Sequence, residues 1–336
     1  MKKTSLLFSV LLLGLTGFNP AALSSGLTNS SYLQRTEVQS FIKMMVTRHQ
    51  FKPGELEQWF VAIHPRPDII ASISNPAEKK PWYEYRKIFL IEQRIKGGVG
   101  FWNQHHALLE RAERETGVPA RIIVAILGVE TLYNRYEGRY PVMESLSTLA
   151  FDYPKRSAFF RGELEQFLLL AREEKVDPLS LKGSYAGAMG GPQFISSSFR
   201  RFAVDFDHDG KRDIWHNPAD MIGSVANYFK KHKWQKNQLI TVRARVDSSH
   251  VNDVINKGIN PYYSLKELKK MGITGMIPDK TNIKAALIKL DGTAGPEYWL
   301  GMQNFYVITR YNHSPLYAMA VFQLSEAITK RMKKIN

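Results

Sequence analysis

Glu130 closes the segment Ile122-Ile-Val-Ala-Ile-Leu-Gly-Val-Glu130, in which every other residue is apolar or glycine. A carboxyl group in such company holds its proton more tightly than in water, because desolvation disfavours the charged form. A proton held near neutral pH is what a general acid needs to cleave a glycosidic bond. The plainer alternative is a helix with one glutamate on its wet face. Apolar residues nearly all round this helix weaken that alternative.

Two further segments have residue types suited to binding. Gly183-Ser-Tyr-Ala-Gly-Ala-Met-Gly-Gly-Pro-Gln-Phe194 lets the backbone approach a ligand or another chain segment closely. Gln193 offers both donor and acceptor functions, and Phe194 an apolar platform. Without dinucleotide spacing or a Lys-Ser/Thr ending, it is not a phosphate loop. The plainer reading is a tight bend of small residues that packs two helices. In Asp205-Phe-Asp-His-Asp-Gly-Lys-Arg-Asp213, oxygens at loop positions one, three and five with glycine at six follow a calcium-loop pattern. Lys211 would supply its carbonyl at position seven, but position twelve is His216 instead of the bidentate glutamate. An Asp-Gly turn with solvated acids is the competing explanation. The nine histidines show no paired spacing for zinc, and Ser184 lacks a serine-hydrolase elbow.

The elements that must hold these residues are mostly helical. Helical spacing runs through residues 30–115, for example Glu37 to Arg48 and Glu84 to Glu92, with proline-containing turns between. Gly117-Val-Pro119 introduces the Glu130 helix, and Gly162 to Glu174 is amphipathic. From Leu239 the texture changes. Leu239–Val246, Ala285–Leu290 and Asn304–Thr309 are expected strands. A short helix from Ser264 to Met271 carries a capping box with Glu267, and Ser314-Pro315 opens a last helix to about Lys334.

The chain has 336 residues and opens Met-Lys-Lys, followed by a short apolar run and small residues near Ala21 and Ser25, the pattern of a cleaved secretory signal. With no cysteine, an exported chain has no disulfides and no lipid-bearing cysteine at its signal junction. The formal charge is +15, or +13 once Lys2 and Lys3 leave with the signal. Such a surface suits polyanions. No nucleic-acid motif is present, and export favours an anionic cell-wall polymer as partner. A basic surface kept for solubility explains the charge nearly as well.

The ordered motifs resemble the lytic murein transglycosylase B family. They are Ile126-Leu-Gly-Val-Glu-Thr131, Gly187-Ala-Met-Gly-x-x-Gln-Phe194, the aspartate loop, Phe101-Trp-Asn-Gln104, Asp152-Tyr-Pro-Lys-Arg156, Gly223-Ser-Val-Ala-Asn-Tyr-Phe229 and Arg310-Tyr-Asn312. The resemblance implies an α+β, mainly α protein with a lysozyme-like catalytic core. The expected division is a signal peptide at 1–24, a helical domain at 25–115 completed by 313–336, a catalytic core with the calcium loop at 116–235 and a small strand-bearing domain at 236–312. It implies cleavage of the β-1,4 bond between N-acetylmuramic acid and N-acetylglucosamine in peptidoglycan, with a 1,6-anhydro product. By resemblance Glu130 is the single acid/base. Ser184, Gln193, Phe194, Tyr228, Tyr311 and Asn312 match cleft positions, and Tyr85 and Arg156 match positions that contact sugar or peptide. Asp220 would complete a structural Ca2+ site with Asp205, Asp207, Asp209 and the Lys211 carbonyl, and Asp213 is a further candidate. Ser196 departs from the family, where proline is expected. Other readings stay open: a lysozyme-type muramidase that uses water, or a non-catalytic cell-wall-binding protein. A monomer in the periplasm, with peptidoglycan strands and cell-wall synthesis or recycling proteins as partners and no organic cofactor, is the expectation.

Overall fold

The computed structural model describes residues 32–74, 80–247, 249, 251–276 and 283–334. The expected signal peptide lies outside the described residues. Among the described residues no helix is long and apolar enough to cross a membrane.

Most of the chain is helical, and the helix Ala120–Thr131 runs through the main core. Its residues Ile122 to Val129 are all buried, so it has no wet face along that stretch. The last helix, Pro315–Met332, and the helix Glu92–Gln104 both pack against it. An expected continuous helix from Glu84 to Glu92 is instead two. Trp82–Phe89 ends at Leu90, Ile91 is extended, and a new helix starts at Glu92. This break lets Arg94, in the first turn of the second helix, reach back to the Ile88 carbonyl.

Seven short strands are described: β1 (Tyr140–Pro141), β2 (Lys182–Gly183), β3 (Thr241–Val246), β4 (Tyr263–Ser264), β5 (Ile273–Gly275), β6 (Lys284–Gly292) and β7 (Gly295–Gly301). β1 pairs with β2, and the other five form an antiparallel sheet in the order β4-β6-β7-β3-β5. Successive side chains of a strand point to opposite faces, and β6 uses both. Ala285 and Leu287 enter a small core with Leu268, Ile273 and Leu300, while Ala286, Ile288 and Leu290 join the main core. β6 therefore ties the sheet to the helical body, and Trp299 of β7 packs against the same main core.

The Ser264 capping box forms, with the Ser264 hydroxyl and Glu267 bonding each other's backbone N–H. The expected strand at Asn304–Thr309 does not. Those residues lie in the helix Gln303–Tyr311. A short apolar, β-branched run fits either period, and tertiary contacts decide it. Asn304 is buried, accepts from the Gln235 N–H at 2.8 Å and donates to the Gln235 carbonyl at 2.8 Å. β7, the strand that does pair with β6, begins with Gly-Pro and gave no strand signal.

Candidate active site

Glu130 sits at the C-terminal end of the buried helix and is itself only half-buried. The Tyr317 hydroxyl donates to its Oε1. Burial pushes the carboxyl up to about 7, against the opposing pull of that hydrogen bond and the Arg94 charge. A group titrating near neutral pH can deliver a proton and then take one back.

Tyr317 comes from the first turn of the last helix, where Ser314 caps its N–H. Its ring lies parallel to that of Tyr311, with 9° between planes and 6.5 Å between centroids. Tyr311 donates to the Pro192 carbonyl at 2.6 Å, and Tyr228 to the Arg310 carbonyl at 2.5 Å. Phe194 meets Tyr228 at 5.7 Å and Tyr311 at 5.9 Å. Burial raises the Tyr311 and Tyr317 hydroxyls well above the ordinary tyrosine value, and the nearby Glu130 charge adds to it. Both remain donors. Tyr317 and Tyr311 thus face the carboxyl, and Phe194 and Tyr228 pack against Tyr311.

The glycine-rich segment folds on itself through short bonds. Ser184 N–H donates to the Ala188 carbonyl at 2.8 Å, and Met189 and Phe194 exchange two backbone bonds. At Gly190, with φ of 64°, a Cβ would lie 2.4 Å from the Ile214 carbonyl oxygen, so no larger residue fits. Gln193, with φ of 51°, donates to the Glu137 and Gly190 carbonyls at 3.0 and 2.9 Å. Among the described residues its buried Oε1 has no protein partner, which leaves an acceptor to satisfy.

Several expected binding residues sit deeper than sequence suggests. The Ser184 hydroxyl accepts the Ala186 and Ala188 N–H groups at 3.3 and 3.1 Å and closes the turn. Tyr85 is fully buried among Trp82 and Phe89, and its hydroxyl faces Tyr317 electrostatically. Asn312 is buried beside Tyr311. Arg156 lies over the Phe159 ring at 4.2 Å. Of the carboxylates nearest in sequence, Glu144 pairs with Arg66 at 2.9 Å. Asp152 pairs with Arg35 at 2.6 Å and accepts from Tyr32 at 2.6 Å. Neither is placed to assist Glu130. Glu137, raised by burial, bonds Asn134. Sequence reasoning missed Tyr317 and Arg94. The Ser314-Pro315 start signal placed Tyr317 in a first turn, but nothing local linked it to Glu130.

The aspartate loop gathers Asp205, Asp207, Asp209 and Asp220, whose carboxylate oxygens lie within 4.8 Å of one another. Asp205 accepts the Asp209 and Gly210 N–H groups at 3.1 and 2.8 Å, which curls the loop. Lys211 N–H donates to Asp209 at 2.9 Å. Asp220 is fully buried, and burial, with Asp207 and Asp205 beside it, pushes it up to about 6. Three acids of the curled loop, joined by Asp220 from the first turn of the helix Pro218–Lys231, make a cluster that fits a hard dication such as calcium. Asp213 stands apart: one of its oxygens accepts the Trp215 and His216 N–H groups at 2.9 Å, so it closes the next turn.

A mainly helical body with a small antiparallel sheet, and a carboxyl at the end of its buried helix beside aromatic rings, is the arrangement of a lysozyme-like fold. Residues 33–326 match the family model described as the transglycosylase SLT domain. The membrane-bound lytic murein transglycosylase B of Escherichia coli K12 is 42% identical over 307 residues, 88% of this chain and 84% of that protein. The crystal structure of the soluble lytic transglycosylase SltB1 of Pseudomonas aeruginosa is 49% identical, with a TM-score of 0.84 over 88% of this chain and 99% of that one. The Escherichia coli lytic transglycosylase Slt35, solved in complex with calcium, is 42% identical, with a TM-score of 0.80 over 89% of this chain and 94% of that one. The chain belongs to the transglycosylase SLT family, among the lytic murein transglycosylases of type B.

Proposed function

We propose that this protein is a peptidoglycan lytic transglycosylase in which Glu130 serves as both acid and base. The reading is carried by the Glu130 carboxyl at the end of a buried apolar helix, where it accepts from Tyr317 and burial pushes it up to about 7. Protonated Glu130 gives its proton to the oxygen that links N-acetylmuramic acid to N-acetylglucosamine, and the bond to muramic acid C1 breaks. The resulting carboxylate then takes the proton from the C6 hydroxyl of the same muramic acid as that oxygen attacks C1. This closes a 1,6-anhydro ring and returns Glu130 to its starting state. Ordinary glycosidases need a second carboxylate at a set distance. With Glu144 and Asp152 tied to arginines and Glu137 bonded to Asn134, an internal hydroxyl as nucleophile fits better. Tyr317 would steady the carboxylate between the two steps.

Gln193, Phe194, Tyr228, Tyr311 and Asn312 would form the sugar-binding wall, with Ser184 shaping it, Tyr85 supporting Tyr317 from behind and Arg156 further out. The division expected from sequence, with a catalytic core at 116–235, is retained as part of this proposal. Asp205, Asp207, Asp209, Asp220 and the Lys211 carbonyl would hold a structural calcium ion that pins the loop carrying Ile214, whose carbonyl accepts from Gly191 at 2.9 Å. The basic composition suits work on an anionic cell-wall polymer in the periplasm.

Digestion of purified sacculi by the wild type and by Glu130→Gln, with products weighed by mass spectrometry, tests the central point. Anhydro-ended muropeptides from the wild type alone are expected. Reducing ends would make it a muramidase, and undiminished digestion by Glu130→Gln would remove Glu130 from the reaction.

A further inference from the structure

Directly after the Glu130 helix the backbone enters a strained turn. Leu132, Tyr133 and Asn134 are consecutive left-handed residues, with φ of 52°, 62° and 68°. Asparagine tolerates this region, but for leucine and tyrosine it persists only where the surroundings over-determine it. Tyr133 supplies that over-determination. Its hydroxyl donates to the Arg94 carbonyl at 2.6 Å, and Phe101 stacks on its ring at 5.7 Å. Three glycines make room for it. A Cβ at Gly97 would lie 2.8 Å from the ring, and Cβ atoms at Gly98 and Gly128 would lie 2.7 and 2.5 Å from the hydroxyl.

The Arg94 guanidinium turns towards the helix end. It donates to the Gly128 carbonyl and, at 3.3 Å, to the Val129 carbonyl, the two that precede Glu130. It lies over the Phe89 ring at 5.3 Å and, among the described residues, makes no ion pair. A helix C-terminus carries partial negative charge, which adds to burial in disfavouring a carboxylate there. A cation at this point offsets both. The groups facing Glu130 are Arg94, Tyr311 and Tyr317. Both phenols stay protonated, so among these groups Arg94 alone is charged.

We propose that Arg94 and Tyr133 form a positioning clamp for Glu130, resting on its role as acid/base above. The guanidinium fastens the last helical turn through two carbonyls and faces Glu130 with its charge, while Tyr133 fixes the backbone of Arg94 and the strained turn together.

The test is kcat and kcat/KM against pH on purified peptidoglycan for Arg94→Gln, Arg94→Lys and the wild type. Losing the cation lets Glu130 keep its proton to higher pH, so in Arg94→Gln the alkaline limb should move up by about one pH unit. Its kcat should fall roughly tenfold as the helix end loosens. Arg94→Lys keeps the charge but not the forked donor, so its limb should stay in place while kcat falls roughly tenfold. A limb unmoved in folded Arg94→Gln overturns the clamp, leaving Arg94 a packing residue. If Arg94→Gln does not fold, Arg94→Lys decides, and wild-type kcat there overturns it. Glu130→Gln in the same assay separates the two readings: activity in that variant removes the acid/base role itself, whatever Arg94 does.

Discussion

Tyr317 donates its hydroxyl hydrogen to Glu130 Oε1, joining residues 187 positions apart in the chain. The bond favours the carboxylate, whereas burial favours the acid, and the balance falls at about 7. Tyr317→Phe removes the donor and leaves burial, so Glu130 should titrate higher. Because the first step needs the protonated form, the alkaline limb of kcat/KM should move to higher pH. The second step needs a stable carboxylate, so kcat should fall roughly ten- to hundredfold. A pH profile that overlays the wild type would show that the bond does not bear on the reaction.

Glu130 is held where the fold would be more stable without its charge. The carboxyl titrates near 4.5 when unfolded and at about 7 when folded. The folded state therefore binds the proton more tightly, and stability declines as pH rises from about 4.5 through about 7. Glu130→Gln should unfold later than the wild type at pH 8, by on the order of 2 kcal/mol. The advantage should shrink towards pH 5. Urea unfolding at the two pH values measures it; a difference that does not change with pH would place the stabilisation elsewhere.

What the sequence displayed depends on how local each signal is. The Glu130 helix was legible because Ile122 to Val129 are apolar without interruption, and the aspartate loop because its oxygens alternate along a few residues. The Ser264 cap is a three-residue pattern and formed as expected. Asn304–Thr309 misled because its period is ambiguous and its helix is set by Asn304 binding Gln235, a contact far off in sequence. Tyr317 and Arg94 were illegible for the same reason. Each acts on Glu130 from a separate helix, and only packing brings them there. Ser184 and Tyr85 matched a family pattern, yet the first spends its hydroxyl on its own turn and the second lies behind Tyr317.

The aspartate loop should make stability depend on calcium. A ligand that binds only the folded state at about a hundred times its dissociation constant adds about 2.7 kcal/mol. For a chain of this length each kcal/mol moves Tm by roughly 2–4 °C. Millimolar calcium should therefore raise Tm by several degrees, a chelator should reverse it, and Asp205→Asn with Asp209→Asn should abolish the response. Catalysis at a temperature well below Tm should change little, because the groups that act on Glu130 among the described residues are Tyr317, Tyr311 and Arg94, none of them in the loop. A Tm indifferent to calcium in the wild type would refute the site.

Gly128 offers a test in which two effects oppose each other. It lies inside the Glu130 helix, where replacing glycine with alanine ordinarily gains up to about 1 kcal/mol of helix propensity. Here the added Cβ would lie 2.5 Å from the Tyr133 hydroxyl and 2.7 Å from the ring carbon that bears it. Tyr133 cannot retreat easily, since its hydroxyl is bonded to Arg94 and its backbone is left-handed. Overpacking of this kind costs about 1–3 kcal/mol, so the clash should outweigh the propensity. Gly128→Ala should lower Tm, whereas Gly162→Ala, also in a helix but with nothing within 4 Å of its Cβ, should raise it or leave it unchanged. Since the displaced ring is the one that braces Arg94, Gly128→Ala should also lower kcat at temperatures where it is fully folded. Equal Tm changes in the two variants would mean that Tyr133 yields freely, and that the turn after Glu130 is not held by its ring.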